Sequence, residues 1–396
     1  MSKNPDALLA NIIGRDLSGE RIRALYRLRC HSDQAQELAT FLCHEHSLEL
    51  SASVLPDGFL KSEIVGRVEN VDVEPEGTSL CWLSYATELA SGGFTTLLNL
   101  LMGNAGFVSS VELIDIELPS SISAELGGPK FGIAGLRTLT GISQGPLGAT
   151  ALKPLGASAT ELAAIASKMA LGGLDIIKED DGISTQVFAP FADRVERCAG
   201  AIAEARAKTG KQTLYFPNIT GPIETLAERA MFAKRVGASG VEILPGMTSL
   251  DSIRMIAQLP DFGLPIMAHC SWQGALCRPP NAAISMALVF GLLPRLGGAD
   301  LSITTSFGGR FDLPRASCAA TAEALKRPIA GIAPALPMPG GGITTDRLDS
   351  VLEVFGSSSV FLVSGALFQK PDMTTACRDY MQKVRESAKT AKPDIA

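Results

Sequence analysis

The run "GGLDIIKEDDG" (172–182) closes an apolar stretch with a lysine and three carboxylates, Lys178, Glu179, Asp180 and Asp181. Ionisable groups in series at the end of an apolar strand are costly to bury unless they are paired or put to use. Strand alternation sets Lys178 and Asp180 on one face and leaves Asp181 at the strand exit. Two carboxylates converging there make a hard oxygen site suited to Mg²⁺, which takes octahedral oxygen ligands and keeps waters that a substrate displaces. A lysine ammonium is a poor neighbour for a cation, but its neutral amine reacts with CO₂ to form a carbamate, a third oxygen ligand. The competing reading is an ion pair, in which Lys178 neutralises Asp180 and no metal binds.

The elements that must position these groups follow a rhythm from about residue 130 onward. Apolar strand candidates at 148–154, 174–180, 213–219, 240–246, 264–270, 299–305, 332–340 and 359–365 are each followed by a helical stretch. Eight such units over roughly 220 residues is the count for a (β/α)₈ barrel, whose chemistry sits at the C-terminal strand ends. Those ends carry Lys153, then Lys178 with Asp180 and Asp181, then Asn218, Glu242 and His269. The last three are followed by "SFGGRF" (306–311), by Gly340, Gly341 and Gly342, and by Ser364 with Gly365. Glycine turns after strands seven and eight are where barrels hold phosphate on backbone N–H groups, which marks Gly341, Gly342, Ser364 and Gly365. An open doubly wound sheet would show an early Gly-rich phosphate fingerprint, and none is present. The first part of the chain reads differently, as an α+β module of antiparallel, ferredoxin-like type. It has strands at 21–30, 61–75 and 109–119, and helices at 32–46 (opened by a Ser cap) and 94–104. The expected division is 1–127 for this module and 128–396 for the barrel with its C-terminal helices.

Composition agrees with an α/β enzyme: aromatic residues make up only 6% of 396, beside 39 glycines that suit many short turns. A net charge of −6 with no basic stripe argues against nucleic acid as a partner. The eight cysteines form no CxxC pair, as expected of reduced thiols in the cytoplasm. The N-terminal residues show no signal-peptide apolar region, and the longest apolar run (284–293) is too short to span a bilayer. A cytoplasmic protein without membrane contact is expected.

The motifs as a set resemble the RuBisCO large-subunit family, and more specifically its form IV, RuBisCO-like members. "GGLDIIKEDD" resembles the family's metal motif, which implies a carbamylated Lys178 with Asp180 and Asp181 as its metal partners. "ATALKPLG" (149–156) resembles the first-strand motif whose lysine takes part in proton transfer, which places Lys153 in that role; alternatively, Lys153 makes a salt bridge at the barrel rim. "MGNAGF" (102–107) resembles the segment that lends an asparagine, here Asn104, to the active site of a partner subunit, and Glu45 lies near a family glutamate. Alternatively, Asn104 is a helix C-cap. His269 falls on the histidine that ends the fifth strand, where it would orient substrate; an ordinary core histidine is the alternative. "PGGGI" (339–343) and "VSGALF" (363–368) fall on the phosphate-binding turns.

The departures from that family bear on function. The loop after strand six carries Gly309 where the family has a mobile lysine that positions CO₂, with only Arg310 nearby. Leu155 replaces the second lysine of the first-strand motif, while Cys270 and Ser302 replace two groups that hold the second phosphate of a bisphosphate. The resemblance therefore implies Mg²⁺-assisted enolisation of a sugar or oxo-sugar-acid monophosphate without carboxylation of ribulose bisphosphate. Arg310, as a clamp for a carboxylate, tilts the expectation toward a decarboxylase or transcarboxylase of a branched oxo-sugar-acid phosphate. The alternatives are an enolase or isomerase of a methylthio-pentulose phosphate in methionine salvage, and a non-catalytic sugar-phosphate-binding barrel. The family also implies a homodimer with shared active sites, or a higher oligomer built of such dimers.

Overall fold

The computed structural model describes residue 9 and residues 12–74, 77–278, 282–311 and 313–390. Two compact units emerge, Met1–Leu126 with Ala275–Leu288, and Gly127–Gly274 with Val289–Ala396. The segment Ala275–Leu288, which the sequence reading assigns to the barrel, groups with the first unit because it bonds along β4: the Leu113 amide donates to Ala283 O at 2.9 Å and the Ser285 amide to Leu113 O at 2.8 Å.

The first unit is a four-stranded antiparallel sheet in the order β2-β3-β1-β4. Its strands are β1 Arg21–Leu28, β2 Arg67–Glu74, β3 Thr78–Ala86 and β4 Val111–Glu117. Ile22, Ala24, Tyr26 and Leu28 alternate into the core. The helix Ser32–Leu48 packs on that face through Ala35, Ala39, Leu42 and Cys43. The sequence reading lacked β3, and its strand at 61–75 begins instead with a short helical turn, Leu60–Ile64, before β2. Its Ser cap is also corrected: His31 holds the N-cap position in an extended conformation with no side-chain cap, and Ser32 is already helical.

The second unit holds eight parallel strands, β5 Leu147–Leu152, β6 Ile176–Glu179, β7 Leu214–Phe216, β8 Val241–Ile243, β9 Ile266–Ala268, β10 Leu301–Thr305, β11 Leu336–Gly340 and β12 Val360–Leu362. Seven lie within the segments that the sequence period marks, and β5 starts one residue before its segment. Parallel ladders run β12-β5-β6-β7 and β8-β9-β10-β11, and a bridge between Asn218 and Glu242 joins the third barrel strand to the fourth. Alternation sorts the side chains into two layers. Ala149, Ile176, Phe216, Met267, Ile303 and Met338 fill the barrel interior, while Ile177, Val241, Ile243 and Ile266 face the surrounding helices. The N-terminal end of the barrel is closed by the helix Gly132–Thr140, whose Leu136 joins the interior cluster. Asp300 anchors this helix: its Oδ1 accepts from the Phe131 and Gly132 amides at 2.8 and 2.7 Å, and its Oδ2 from the Ile266 amide at 2.8 Å. No helix among the described residues is long and apolar enough to cross a membrane.

His46 in the first unit is a pH-sensitive packing group. It lies between Tyr26 and Tyr85 and meets the Tyr85 hydroxyl through Nδ1 at 2.9 Å. Burial pushes its imidazole down to about 4, with Glu45 opposing. Because the folded value is depressed, this group's stabilisation is complete above the unfolded value of about 6.5 and is lost as pH falls toward the folded one, at about 1.4 kcal/mol per pH unit. Denaturant titrations between pH 7 and pH 4.5 should show a shallower loss of stability for His46→Gln than for the unsubstituted protein. Equal slopes would sink the assignment.

Candidate active site

The four ionisable residues at the end of β6 divide between the two layers of the barrel. Lys178 points inward on the Ile176 face, and Glu179 points outward with Ile177. Outside, Glu179 is fully buried and takes four donors: Arg194 Nε and Nη2 at 2.7 and 3.0 Å, the Tyr215 hydroxyl at 2.7 Å and the Asn218 amide at 2.9 Å. This carboxylate ties the strand to the helix Phe191–Thr209.

Inside, Lys178 does not meet Asp180. Its ammonium donates to Glu242 Oε1 at 2.7 Å, and both residues are fully buried. Glu242 stands on the inward face of β8 between Val241 and Ile243, so the two strands bring together charges 64 residues apart. Burial pushes the Glu242 carboxyl up to about 8, against the pull of Lys178, and its buried Oε2 has no partner. The competing reading, an ion pair between Lys178 and Asp180, thus does not hold. Asp180 lies beyond the strand, where the alternation that would aim it at Lys178 no longer holds, and it pairs instead with Lys153.

Lys153 and Asp180 form a part-exposed ion pair through Nζ and Oδ2, at the ends of adjacent strands β5 and β6. Asp181 accepts from the Ser271 hydroxyl through Oδ2 at 2.5 Å, and its backbone carbonyl accepts from Asn218 Nδ2 at 3.1 Å. Its carboxyl is held below the usual range: burial opposes this, but the Ser271 bond and the Lys178 ammonium outweigh it. The Ser271 amide donates to His269 Nδ1 at 3.1 Å, which leaves the neutral ring's proton on Nε2. Burial, then Lys178, drives the His269 imidazole well below its usual range, so the ring is neutral at pH 7. Lys153, Lys178, Asp180, Asp181 and His269 therefore form one charged neighbourhood at the strand ends.

The turn residues occupy the same end of the barrel. Gly341 and Gly342 take φ of 85° and 103°, which a residue with a side chain adopts only at a cost. The loop after β10 is fastened to this turn: the Arg310 amide donates to Gly341 O at 2.9 Å, while Arg347 bonds Gly308 O at 2.6 Å and Phe307 O at 2.7 Å. The Arg310 side chain is exposed and lies over the Phe311 ring at 4.7 Å. Ser364 Oγ accepts from the Ala151 amide at 3.0 Å, linking the eighth strand end to the first, and Gly365 opens the turn Gly365–Phe368. In the first unit, Asn104 and Glu45 find each other, with Asn104 Nδ2 donating to Glu45 Oε1 at 2.8 Å. Asn104 begins a short helical turn, Asn104–Phe107, and Gly103 holds the helix C-cap position that Asn104 was offered as the alternative to a site role.

Sequence reasoning placed Glu242 at a strand end but gave it no role, and it missed Ser271. For Glu242 the signal was present, since an acidic residue between Val241 and Ile243 must face the barrel interior. Ser271 had no such signal, because it lies in an irregular loop.

The candidate donors for a divalent ion are Asp180 and Asp181, consecutive and part-exposed, each engaged through only one oxygen by Lys153 or Ser271. Among the described residues no three His, Cys, Asp or Glu side chains form a metal-holding group. The residues fit a Mg²⁺ that takes its remaining ligands from water, from substrate or from a carbamate on Lys178.

Because Lys178 and Glu242 compensate one another, Lys178→Met and Glu242→Leu should each cost about 3–5 kcal/mol in denaturant titrations. The double substitution should recover most of that loss. Strictly additive losses would show that the two are not a compensating pair.

Comparison with known proteins sets this geometry in context. The family model for the ribulose bisphosphate carboxylase large chain, catalytic domain, matches residues 132–389. Ribulose bisphosphate carboxylase-like protein 1 of Rhodopseudomonas palustris is 36% identical over 356 residues, covering 90% of this chain and 95% of the relative. The 5-methylthioribulose-1-phosphate isomerase of Rhodospirillum rubrum is 34% identical over 358 residues, covering 90% and 94%. Among solved structures, a RuBisCO-like protein from Rhodopseudomonas palustris superposes with a TM-score of 0.84 at 34% identity, covering 93% of this chain and 99% of that one.

Proposed function

The chain belongs to the RuBisCO large-chain family as a RuBisCO-like enzyme, and we propose that it catalyses divalent-metal-assisted enolisation of a phosphorylated ketose, with Lys153 moving the α-proton. The observation that carries this is the lysine amine held at Asp180 Oδ2, beside the Asp181–Ser271–His269 chain at the same strand ends. A bound Mg²⁺ at Asp180 and Asp181 would supply Lewis-acid polarisation of the substrate carbonyl. Lys153 reaches the mouth from the first strand and exchanges protons with solvent there, being part-exposed. His269 presents a neutral Nε2–H that orients a substrate oxygen. The backbone amides of Gly341, Gly342 and Gly365, with Ser364, hold the phosphate. A carbamate on Lys178 would add an oxygen ligand, and Glu242, with its raised carboxyl, is the group able to share a hydrogen with it.

Carboxylation of ribulose bisphosphate lacks its parts. Gly309 occupies the loop after β10, and the hydroxyl of buried Ser302 is spent on Phe290 O at 2.5 Å. Leu155 exposes 58% of its surface where a second anion would need a cation. Stacked on Phe311, Arg310 loses the reason for a tilt toward a sugar-acid substrate. Leu155, Trp272 and Phe311, all well exposed on loops at the strand ends, favour an apolar substituent instead. The reading preferred is therefore an isomerase or enolase acting on a methylthio-pentulose phosphate, in line with the activity named for the Rhodospirillum rubrum relative.

In D₂O, NMR should show metal-dependent wash-in of deuterium into 5-methylthioribulose 1-phosphate. Chelation and gel filtration should abolish it, and Lys153→Ala should slow it by about 10²- to 10⁴-fold. Exchange indifferent to both treatments would overturn the assignment. Labelled bicarbonate should give no phosphoglycerate from ribulose 1,5-bisphosphate.

Asn104, tied to Glu45, is proposed to complete the site of a partner subunit in a two-fold dimer. Mixing inactive Asn104→Ala with inactive Lys153→Ala should restore part of the activity, because a mixed dimer holds one site free of both changes. Verified mixed dimers that stay inactive would count against a shared site.

A further inference from the structure

Trp272 adopts φ of 72°, one of four positive values among described residues other than glycine, and it is the largest of the four side chains. The left-handed region costs an L-residue roughly 1–2 kcal/mol, and a bulky residue is an outlier there. The local chain explains how the conformation is imposed. On one side Ser271 is pinned twice, by its amide to His269 Nδ1 and by its hydroxyl to Asp181 Oδ2. On the other side Gln273 is buried. Gly246 presses against both neighbours, since a Cβ there would lie 2.8 Å from Ser271 O and 2.7 Å from Gln273 Cγ. The turn at residue 272 is thus fixed by the same bonds that order His269 and Asp181, and a glycine would make it at lower cost.

Burial does not offset the cost of a tryptophan, because Trp272 is 68% exposed. A large aromatic held in a costly conformation without packing, one residue from the group that bonds Asp181, is placed for contact with something that enters the site. We propose that Trp272 is a specificity-determining residue that contacts the substrate, selecting a ketose phosphate whose far carbon carries an apolar group over one carrying a second phosphate. Here it rests on the enolisation reading above. An indole face gains by covering an apolar substituent and gives a phosphate dianion neither charge nor a hydrogen-bond fork. Leu155 and Phe311, exposed on the loops after β5 and β10, add apolar surface at the same end of the barrel, the Phe311 ring beneath the Arg310 guanidinium.

The sequence provides a direct probe, because Trp82 and Trp272 are its only tryptophans. In Trp82→Phe, metal-loaded, Trp272 emission should change saturably with 5-methylthioribulose 1-phosphate, with binding measured in parallel by calorimetry. Ribulose 1,5-bisphosphate should change it little. Trp272→Gly should raise KM for the methylthio substrate tenfold or more while kcat changes less than threefold. The same variant should keep or raise the thermal midpoint, since the turn is relieved, and that separates a contact role from a structural one. Calorimetric binding with unchanged Trp272 emission, or an unaltered preference in Trp272→Gly, overturns the proposal and leaves the enolisation reading standing. Absence of binding by either sugar phosphate overturns both. Emission that follows protein concentration and ignores both ligands overturns it in favour of an interface with a second copy.

Discussion

A charged amine inside a closed barrel must be compensated there, and the centre of this structure is arranged around that demand. Lys178 lies among Ile176, Phe216 and Met267, where an unpaired ammonium would cost several kcal/mol. Glu242 meets the demand from two strands along, at the position where a bridge joins the third strand to the fourth. On the other side of the same strand Glu179 makes an equal demand, met by Arg194, Tyr215 and Asn218. With both charges settled below the strand end, Asp180 and Asp181 remain in the part-exposed zone with their side chains toward Lys153 and Ser271. The motif thus combines two buried, paired charges with two that stand part-exposed at the strand end.

That division explains why the sequence was legible in one respect and not in another. The eight barrel strands follow from a local signal, short apolar runs at even spacing, and each appears in its expected place. The antiparallel unit was read less well. β3, an interior strand whose first residues alternate in burial, escaped notice, and the turn Leu60–Ile64 was absorbed into a strand. Among site residues, strand-end position found Lys153, Lys178, Asp180, Asp181 and His269, which the structure gathers together. The pairings were not legible. Lys178 with Glu242 and Asp181 with Ser271 span 64 and 90 residues, and nothing local in either partner names the other.

The departures from the carboxylating members of the family also acquire physical form. Ser302 is committed to a backbone carbonyl, burial pushes the Cys270 thiol up to about 12, and Leu155 turns a hydrocarbon side chain to solvent. None of the three can serve an anion. The loop bearing Gly309 and Arg310 is fastened by backbone bonds to the glycine turn that follows it, so its backbone belongs to the turn's own framework.

The stopper at the closed end of the barrel has a bearing on how the chain reaches this state. The amides of Phe131 and Gly132 are satisfied by Asp300, 169 and 168 residues further along. Until the sixth barrel strand has been synthesised and docked, those donors lack their partner and the helix Gly132–Thr140 has no seat. Closure of the barrel floor is therefore a late, non-local event, with the loop-closure entropy of most of a domain set against it. A nascent chain ending before residue 300 would expose the apolar face of that helix, a surface open to association with other chains.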